Sequence, residues 1–247
     1  QAAERALLLD PDEPQALASL GFVLFSHWRE WEPAEAAIRR SLEINSQNHW
    51  IHALLLFFAG RWEESAAAFE RAIAIDPLST ILRAQAASAQ RMAGTPDEAI
   101  RRLEALLWDL ETGGTPGTPE VRALLAYAYS DAGRHAEAVA VLEGVVALTD
   151  SLPAAVAELG YARFRQGDRD GADSVLAWVE ARGEERRGIA LLAVLKGTDR
   201  AVEVMEQRAR EDPIYLSYLL TTKEYPLVRD HSRIREIVRQ VGYPGAF

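Results

Sequence analysis

His49 and His52 stand three residues apart in a run that reads as helical, a spacing that puts two imidazoles on one face, where they can share a metal ion. The chain has no cysteine, and its register places no third ligand near the pair, so ordinary helix-face histidines and no metal are expected. His27, His135 and His231 are isolated. The adjacent carboxylates Glu63-Glu64 and Glu184-Glu185 read as solvated helix faces rather than as an acid and base pair. The zinc-protease helix motif, the phosphate-cradling loop and the serine nucleophile elbow are absent from the sequence. No catalytic residue and no cofactor is expected.

Recognition is the remaining chemistry, and charge narrows it. The 247 residues carry a formal net charge of −10, which argues against nucleic acid, because neutralising phosphates needs a clustered excess of Lys and Arg. From Lys196 onward basic and acidic side chains nearly balance, so the excess acid lies in the first 195 residues. Arg229, Arg233, Arg235 and Arg239 form a basic stripe near the end that suits either a solvated capping helix or an acidic surface, including the chain's own body or a second copy. The longest apolar run, Ala53 to Ala59, is far short of the roughly 18 residues a membrane span needs, so no direct membrane insertion is expected. The chain opens at Gln1 inside an amphipathic pattern (Ala2, Ala3, Ala6, Leu7), which leads to the expectation of a processed protein or a segment of a longer one, in a compartment left open.

The elements that must present a binding surface come from an internal period. Gly60 and Gly94 are 34 residues apart, as are Gly133 and Gly167. After each glycine comes a small residue (Ser65, Ala99, Ala138, Ala172), and four residues further a large apolar one (Phe69, Leu103, Leu142, Leu176). That interval puts both on one helical face. Each unit is therefore expected to be two antiparallel helices, with the glycine left-handed at the end of the first and small residues where backbones approach. One hairpin cannot bury its own face, so neighbours must stack. Asp10-Pro11, Asp76-Pro77 and Asp212-Pro213 fall where second helices end, and Thr95-Pro96-Asp97-Glu98 reads as a capping box.

These features, and above all Ala66 to Pro77, resemble the tetratricopeptide repeat family. The resemblance implies an all-α fold, a right-handed superhelix or α-solenoid of about six hairpins with a C-terminal cap, formed as a single array over 1–247. The expected parts are a truncated second helix at 1–10, hairpins at 13–45, 47–76, 79–110, 119–149, 152–182 and 186–212, and a cap at 213–247. The segment Trp28 to Pro33 is expected to lengthen one hairpin turn, and Thr112 to Pro119 to form an insert.

The tail Tyr225 to Pro244, with Trp28 to Glu32 and Asn48-His49-Trp50, is similar to the closing regions of tetratricopeptide arrays that follow bacterial serine/threonine kinases or winged-helix regulators. That resemblance implies a sensory or interaction module of a signalling protein; an accessory subunit, or self-association through open solenoid ends, is the alternative. In the family, first helices line the concave face. Carried over, the residues expected to meet a protein or peptide are Phe22, Phe25, Trp50, Leu54, Phe57, Phe58, Arg91, Tyr127, Tyr161, Phe164 and Arg165, with Met92 beside Arg91. The N-terminal half of that face is aromatic, as suits an extended peptide or amphipathic helix, while packing between hairpins is the competing role for each ring. Ala18 and Phe22 stand where chaperone-tail clamps carry lysine and asparagine, so a carboxylate clamp of that kind is not expected.

Overall fold

The structure, a computed structural model, describes residues 2–28, 30–114, 117–148, 152–211, 225–228 and 230–241. Among them there is no strand; every element is a helix. The first compact unit holds residues through Ala89, with the described residues from Glu236 onward, and the second runs from Gln90 to Arg235. No helix of the described residues is long and apolar enough to cross a membrane.

In the first unit α1 (Ala2–Leu9) packs on α2 (Pro14–Val23), which pairs with α3 (Trp31–Ile44). A buried polar joint then sets the next hairpin. The Asn48 amide donates to Ser41 Oγ at 2.7 Å, and Ser41 Oγ donates to the Pro14 carbonyl at 2.6 Å, so α2, α3 and the 3-10 turn Ser46–Asn48 meet at one point. Burying these groups is tolerable because each is satisfied. From that turn springs α4 (His49–Phe58), paired with α5 (Trp62–Ile75), and α6 (Thr80–Met92) begins after Asp76-Pro77.

In the second unit α7 (Pro96–Thr112) packs on α8 (Pro119–Asp131), which pairs with α9 (His135–Leu148). The hairpins α10 (Pro153–Gln166) with α11 (Arg169–Ala181) and α12 (Ile189–Lys196) with α13 (Thr198–Glu211) follow. Two short pieces, α14 (Tyr225–Val228) and α15 (Ser232–Val241), complete the described chain. Asp212-Pro213 and Arg229 lie outside the described residues.

The register read from the sequence is the register of the core. Ser65, Ala99, Ala138 and Ala172 are fully buried, and Phe69, Leu103, Leu142 and Leu176 beside them nearly so. First helices answer with a small position of their own seven residues before each turn glycine: Ala53, Ala87, Ala126 and Gly160. A Cβ at Gly160 would stand 2.7 Å from both Val175 and Leu191, and one at Gly21, on α2, 2.5 Å from Ile38, so at these two sites only glycine lets the backbones approach. Ser65 hydrogen-bonds across such a contact, donating to the Ala53 carbonyl at 2.8 Å.

The four turns close alike. Gly60, Gly94, Gly133 and Gly167 have φ of 75, 82, 75 and 92°, and the N–H after each returns to the carbonyl five residues back, as in Arg61 to Leu56 at 2.9 Å and Arg134 to Tyr129 at 2.8 Å.

Two local expectations are corrected. Thr95 does not cap α7: its hydroxyl turns back to the Gln90 carbonyl at 2.8 Å, and Glu98 pairs with Arg101 and Arg102. Side chains that do cap helix starts include Asp168, which accepts from Gly171 N at 2.9 Å, Thr118 and Glu13. Trp28 to Pro33 does not lengthen a loop either. With no glycine to end it, α2 widens into a π-helical turn at Leu24–Trp28, and α3 starts at Trp31 with Pro33 in its first turn, where a missing N–H is harmless.

Overpacking the small register should loosen the fold. Ala138→Leu should lower stability by about 1–3 kcal/mol through strain against the facing helix, and Gly133→Ala, which meets no neighbouring atom, by about 1 kcal/mol through its positive φ alone. Urea midpoints followed by helical circular dichroism check both; an Ala138→Leu protein as stable as the parent would refute the register.

Candidate functional site

On α4, Trp50, Leu54, Phe57 and Phe58 fall within about 100° of the helix circumference at 3.6 residues per turn, and they are its partly open side; Ile51, Ala53, Leu55 and Leu56 form the buried side. The open side is held from beneath. Phe25, on the π-helical turn, is 2% exposed and packs its ring on Phe22 at 5.3 Å edge to face, on Phe58 at 6.1 Å and on Trp31 at 6.2 Å, both stacked. Phe58 continues the series to Phe57 at 5.7 Å. Such ring pairs contribute about 0.5–1.5 kcal/mol each beyond burial. The result is a rigid aromatic ladder whose ends reach water at Phe22, 39% exposed, while Trp50 on the same helix as Phe57 is 41% exposed. Rings already fixed in place lose little entropy on meeting a partner.

In the second unit, polar bonds link successive first helices. Arg91 at the end of α6 is bonded to Asp131 of α8 at 2.5 Å, with both side chains largely enclosed. Met92 beside it is half-buried. Ser130 donates to the buried carboxylate of Glu158, on α10, at 2.6 Å. Tyr127 is half-buried against a core of Ala123, Ala126, Leu142, Val145, Ala155 and Leu159. On α10, Tyr161 is buried, Phe164 half-buried and Arg165 exposed, its guanidinium donating to the Tyr161 hydroxyl at 3.1 Å.

The expected face therefore divides by environment. Phe22, Trp50, Leu54, Phe57 and Phe58 are gathered as open or half-open side chains in the first unit, and Tyr127, Phe164 and Arg165 are open or half-open in the second. Phe25 and Tyr161 are corrections: both rings are enclosed, Phe25 because the π-helical turn carries it inward, and they support neighbouring side chains rather than offering a surface. Arg91 is largely closed by its pair with Asp131. Sequence reasoning missed Asn48, which seats the helix bearing Trp50, and the Ser130–Glu158 bond; a lone glutamate inside the apolar run Val156 to Tyr161 was the signal for the second.

Residues 119–151, the hairpin of α8 and α9, match the tetratricopeptide repeat family model. No curated protein matches the chain. Among solved structures it is similar to PilW, a widely conserved type IV pilus biogenesis factor, at 16% identity and a TM-score of 0.61, over 91% of this chain and 98% of that one. It is also similar to pilF of Pseudomonas aeruginosa, at 18% identity and 0.55, over 90% of this chain and 100% of that one. A third is YrrB, a tetratricopeptide protein with an unusual peptide-binding site, at 15% identity and 0.53, over 83% of this chain and 98% of that one. The fold is the helical-hairpin fold of tetratricopeptide solenoids.

Behind Trp50, on the other side of α4, lie the two histidines. Burial lowers the pKa of His52 to about 4, helped by the charges of Arg39, Arg71 and Arg61 and opposed by Glu35. Its Nε2 is buried with no acceptor, so a proton there would bring a charge and an unsatisfied N–H together. His49 is lowered in the same way, by burial and then by Arg71. The cations are themselves anchored: Arg61 bonds Glu35 at 2.9 Å and Glu64 at 2.6 Å, and Arg39 bonds Glu35 at 2.6 Å, which together outweigh burial and hold the Glu35 carboxyl below its ordinary range. Among the described residues no three His, Asp or Glu side chains are grouped as a metal ion requires.

A depressed histidine makes stability depend on pH with a definite sign. The unfolded chain takes up the His52 proton as pH falls through 6.5, and the folded chain only near 4. Stability is therefore full above about 6.5 and falls between there and about 4, by roughly 1–2 kcal/mol after allowance for solvent screening of a partly open ring. Denaturant titrations at pH 7.5 and pH 5.0 should show this drop reduced in His52→Gln; an equal drop in both proteins would contradict it.

Proposed function

We propose that the chain is a non-catalytic scaffold that binds a protein or peptide segment on the first-helix face of its N-terminal hairpins. The observation that carries the reading is the aromatic ladder: Phe22, Phe57 and Phe58 are braced by the buried Phe25, and Trp50 stands on the same open face of α4. Large rings fixed at a partly open surface are what interface hot spots are made of, since each buries much area at little entropic cost. The peptide-binding site of YrrB, which has a similar fold, supports the assignment.

The larger setting we infer is the interaction or sensory part of a bacterial signalling protein, supported by the likeness of the sequence from Tyr225 to Pro244 to the closing regions of such arrays. A second reading, association through a solenoid end, has its own observation. On α1, Leu8 and Leu9 are 84% and 91% exposed and the helix buries none of its residues fully, an apolar edge that a neighbouring helix would cover. Light scattering after size-exclusion chromatography separates the two: association should rise with concentration and disappear in Leu8→Lys with Leu9→Lys, and a chain that is monomeric throughout removes the second reading.

Selection of a random peptide library on immobilised protein tests the first. The parent should enrich peptides bearing aromatic or branched apolar residues, and Trp50→Ala with Phe57→Ala should enrich none while keeping its helical circular dichroism. Unchanged enrichment by a folded double variant would refute the assignment.

A further inference from the structure

The turn glycines of stacked hairpins lie along one edge, and the joints between hairpins along the other. In the first unit that second edge carries a pattern of its own. The second helices α1, α3 and α5 each end on an exposed aliphatic residue, Leu9, Ile44 and Ile75, and each bears an arginine four residues earlier, Arg5, Arg40 and Arg71. That interval puts arginine and aliphatic side chain on one helical face. The joints hold the steps of this row together. Arg40 on α3 bonds Asp12, in the turn after α1, at 3.0 Å, and Asn48, in the turn after α3, reaches back to Ser41 and the Pro14 carbonyl. Leu78 and Ile81, exposed at the next joint, extend the row.

The charges of this edge are only half answered within the chain. Asp12 answers Arg40, but Gln47 stands at the same place in the following joint, so Arg71 finds no acid there. Among the described residues Arg5 and Arg71 meet no carboxylate, and the exposed Asp10 and Asp76, which directly follow Leu9 and Ile75, meet no cation. Unanswered charges of both signs thus stand at both ends of the row, with aliphatic side chains between them.

We propose that this edge docks a second copy of the chain, as a closed two-fold dimer. Turned end for end, the row is complementary to itself: Arg5 faces Asp76 of the other copy, Arg71 faces Asp10, Leu9 faces Ile75, and Ile44 meets its own counterpart at the axis. The exposed parts of Leu9, Ile44, Ile75, Leu78 and Ile81 come to roughly 600 Å², most of the ~800 Å² per partner of a standard interface. The aliphatic residues supply the affinity, while the exposed ion pairs, each worth little, set the antiparallel register. The proposal rests on the association reading above and gives it a different geometry, a closed pair through the ends of second helices rather than an open series through α1.

Sedimentation equilibrium of the full chain tests it. The parent should show a monomer–dimer equilibrium with no larger species, and Ile44→Lys should abolish the dimer with helical circular dichroism unchanged. Arg5→Glu and Asp76→Arg should each weaken self-pairing about tenfold, because like charges then meet at both copies of one contact. Mixed one to one, these two variants should pair with each other as tightly as the parent does with itself, since every contact again joins opposite charges. A mixture that pairs no more tightly than either variant alone overturns the two-fold edge, as does association that grows beyond the dimer or survives Ile44→Lys; in each case association through α1 still stands. A parent that is monomeric at every concentration overturns both.

Discussion

Everything in this structure depends on two helices of a hairpin touching backbone to backbone. The contact exists because a small residue stands on at least one side of it: Ser65 against Ala53 in one hairpin, Gly160 against Val175 in another, Gly21 against Ile38 in a third. Close approach brings a large side chain four residues further along (Phe69, Leu103, Leu142, Leu176) fully into the interface, where burying it contributes about 2–3 kcal/mol. It also fixes which side of each first helix remains open. The face proposed to bind is thus a consequence of the packing register, since its residues are not needed between helices.

The two units use that freedom differently. In the first, aromatic rings reach from the core to the surface without a break, so the stability of the core and the rigidity of the exposed rings share one source in Phe25. In the second, the corresponding helices are tied by polar bonds, Arg91 to Asp131 and Ser130 to Glu158, and the exposed group is a cation, Arg165. Within the basic stripe near the end, Arg233 reaches Glu206 on α13, while Arg235 and Arg239 pair with Asp230 and Glu236 nearby in the chain; His231 accepts the Arg233 N–H on one ring nitrogen and lies 2.9 Å from Asp199 on the other.

The hairpins were legible because their cause is local and repeated: a turn glycine, a small residue and a large one recur at fixed intervals, and helix geometry admits few other readings. The misreadings have a physical reason as well. A threonine before Pro96 looks like a cap, but a hydroxyl can bond either forward to the new helix or back to the old one, and the tight turn at Gly94 brings the Gln90 carbonyl within reach. The residues around Trp28 look like a loop because a π-helical turn has no sequence signature of its own. Phe22 and Phe25 could not be told apart as exposed and buried, since a widened turn shifts the phase of every side chain after it. The pairs Ser130–Glu158 and Tyr161–Arg165 depend on side-chain conformation and neighbouring helices, which a pattern of residue types does not record.

Partner engagement on the first-helix face has a direct signature in the six tryptophans, which sit in different places. Trp50 lies on the open side of α4, whereas Trp108, largely exposed, lies on the second helix α7, away from the first-helix face. The decisive measurement is a titration of nitrogen-15-labelled full chain with a library-selected peptide, following the assigned indole N–H resonances. Binding should move the Trp50 resonance and leave that of Trp108 in place; movement of Trp108 with Trp50 unchanged would put the partner on the outer face and contradict the assignment.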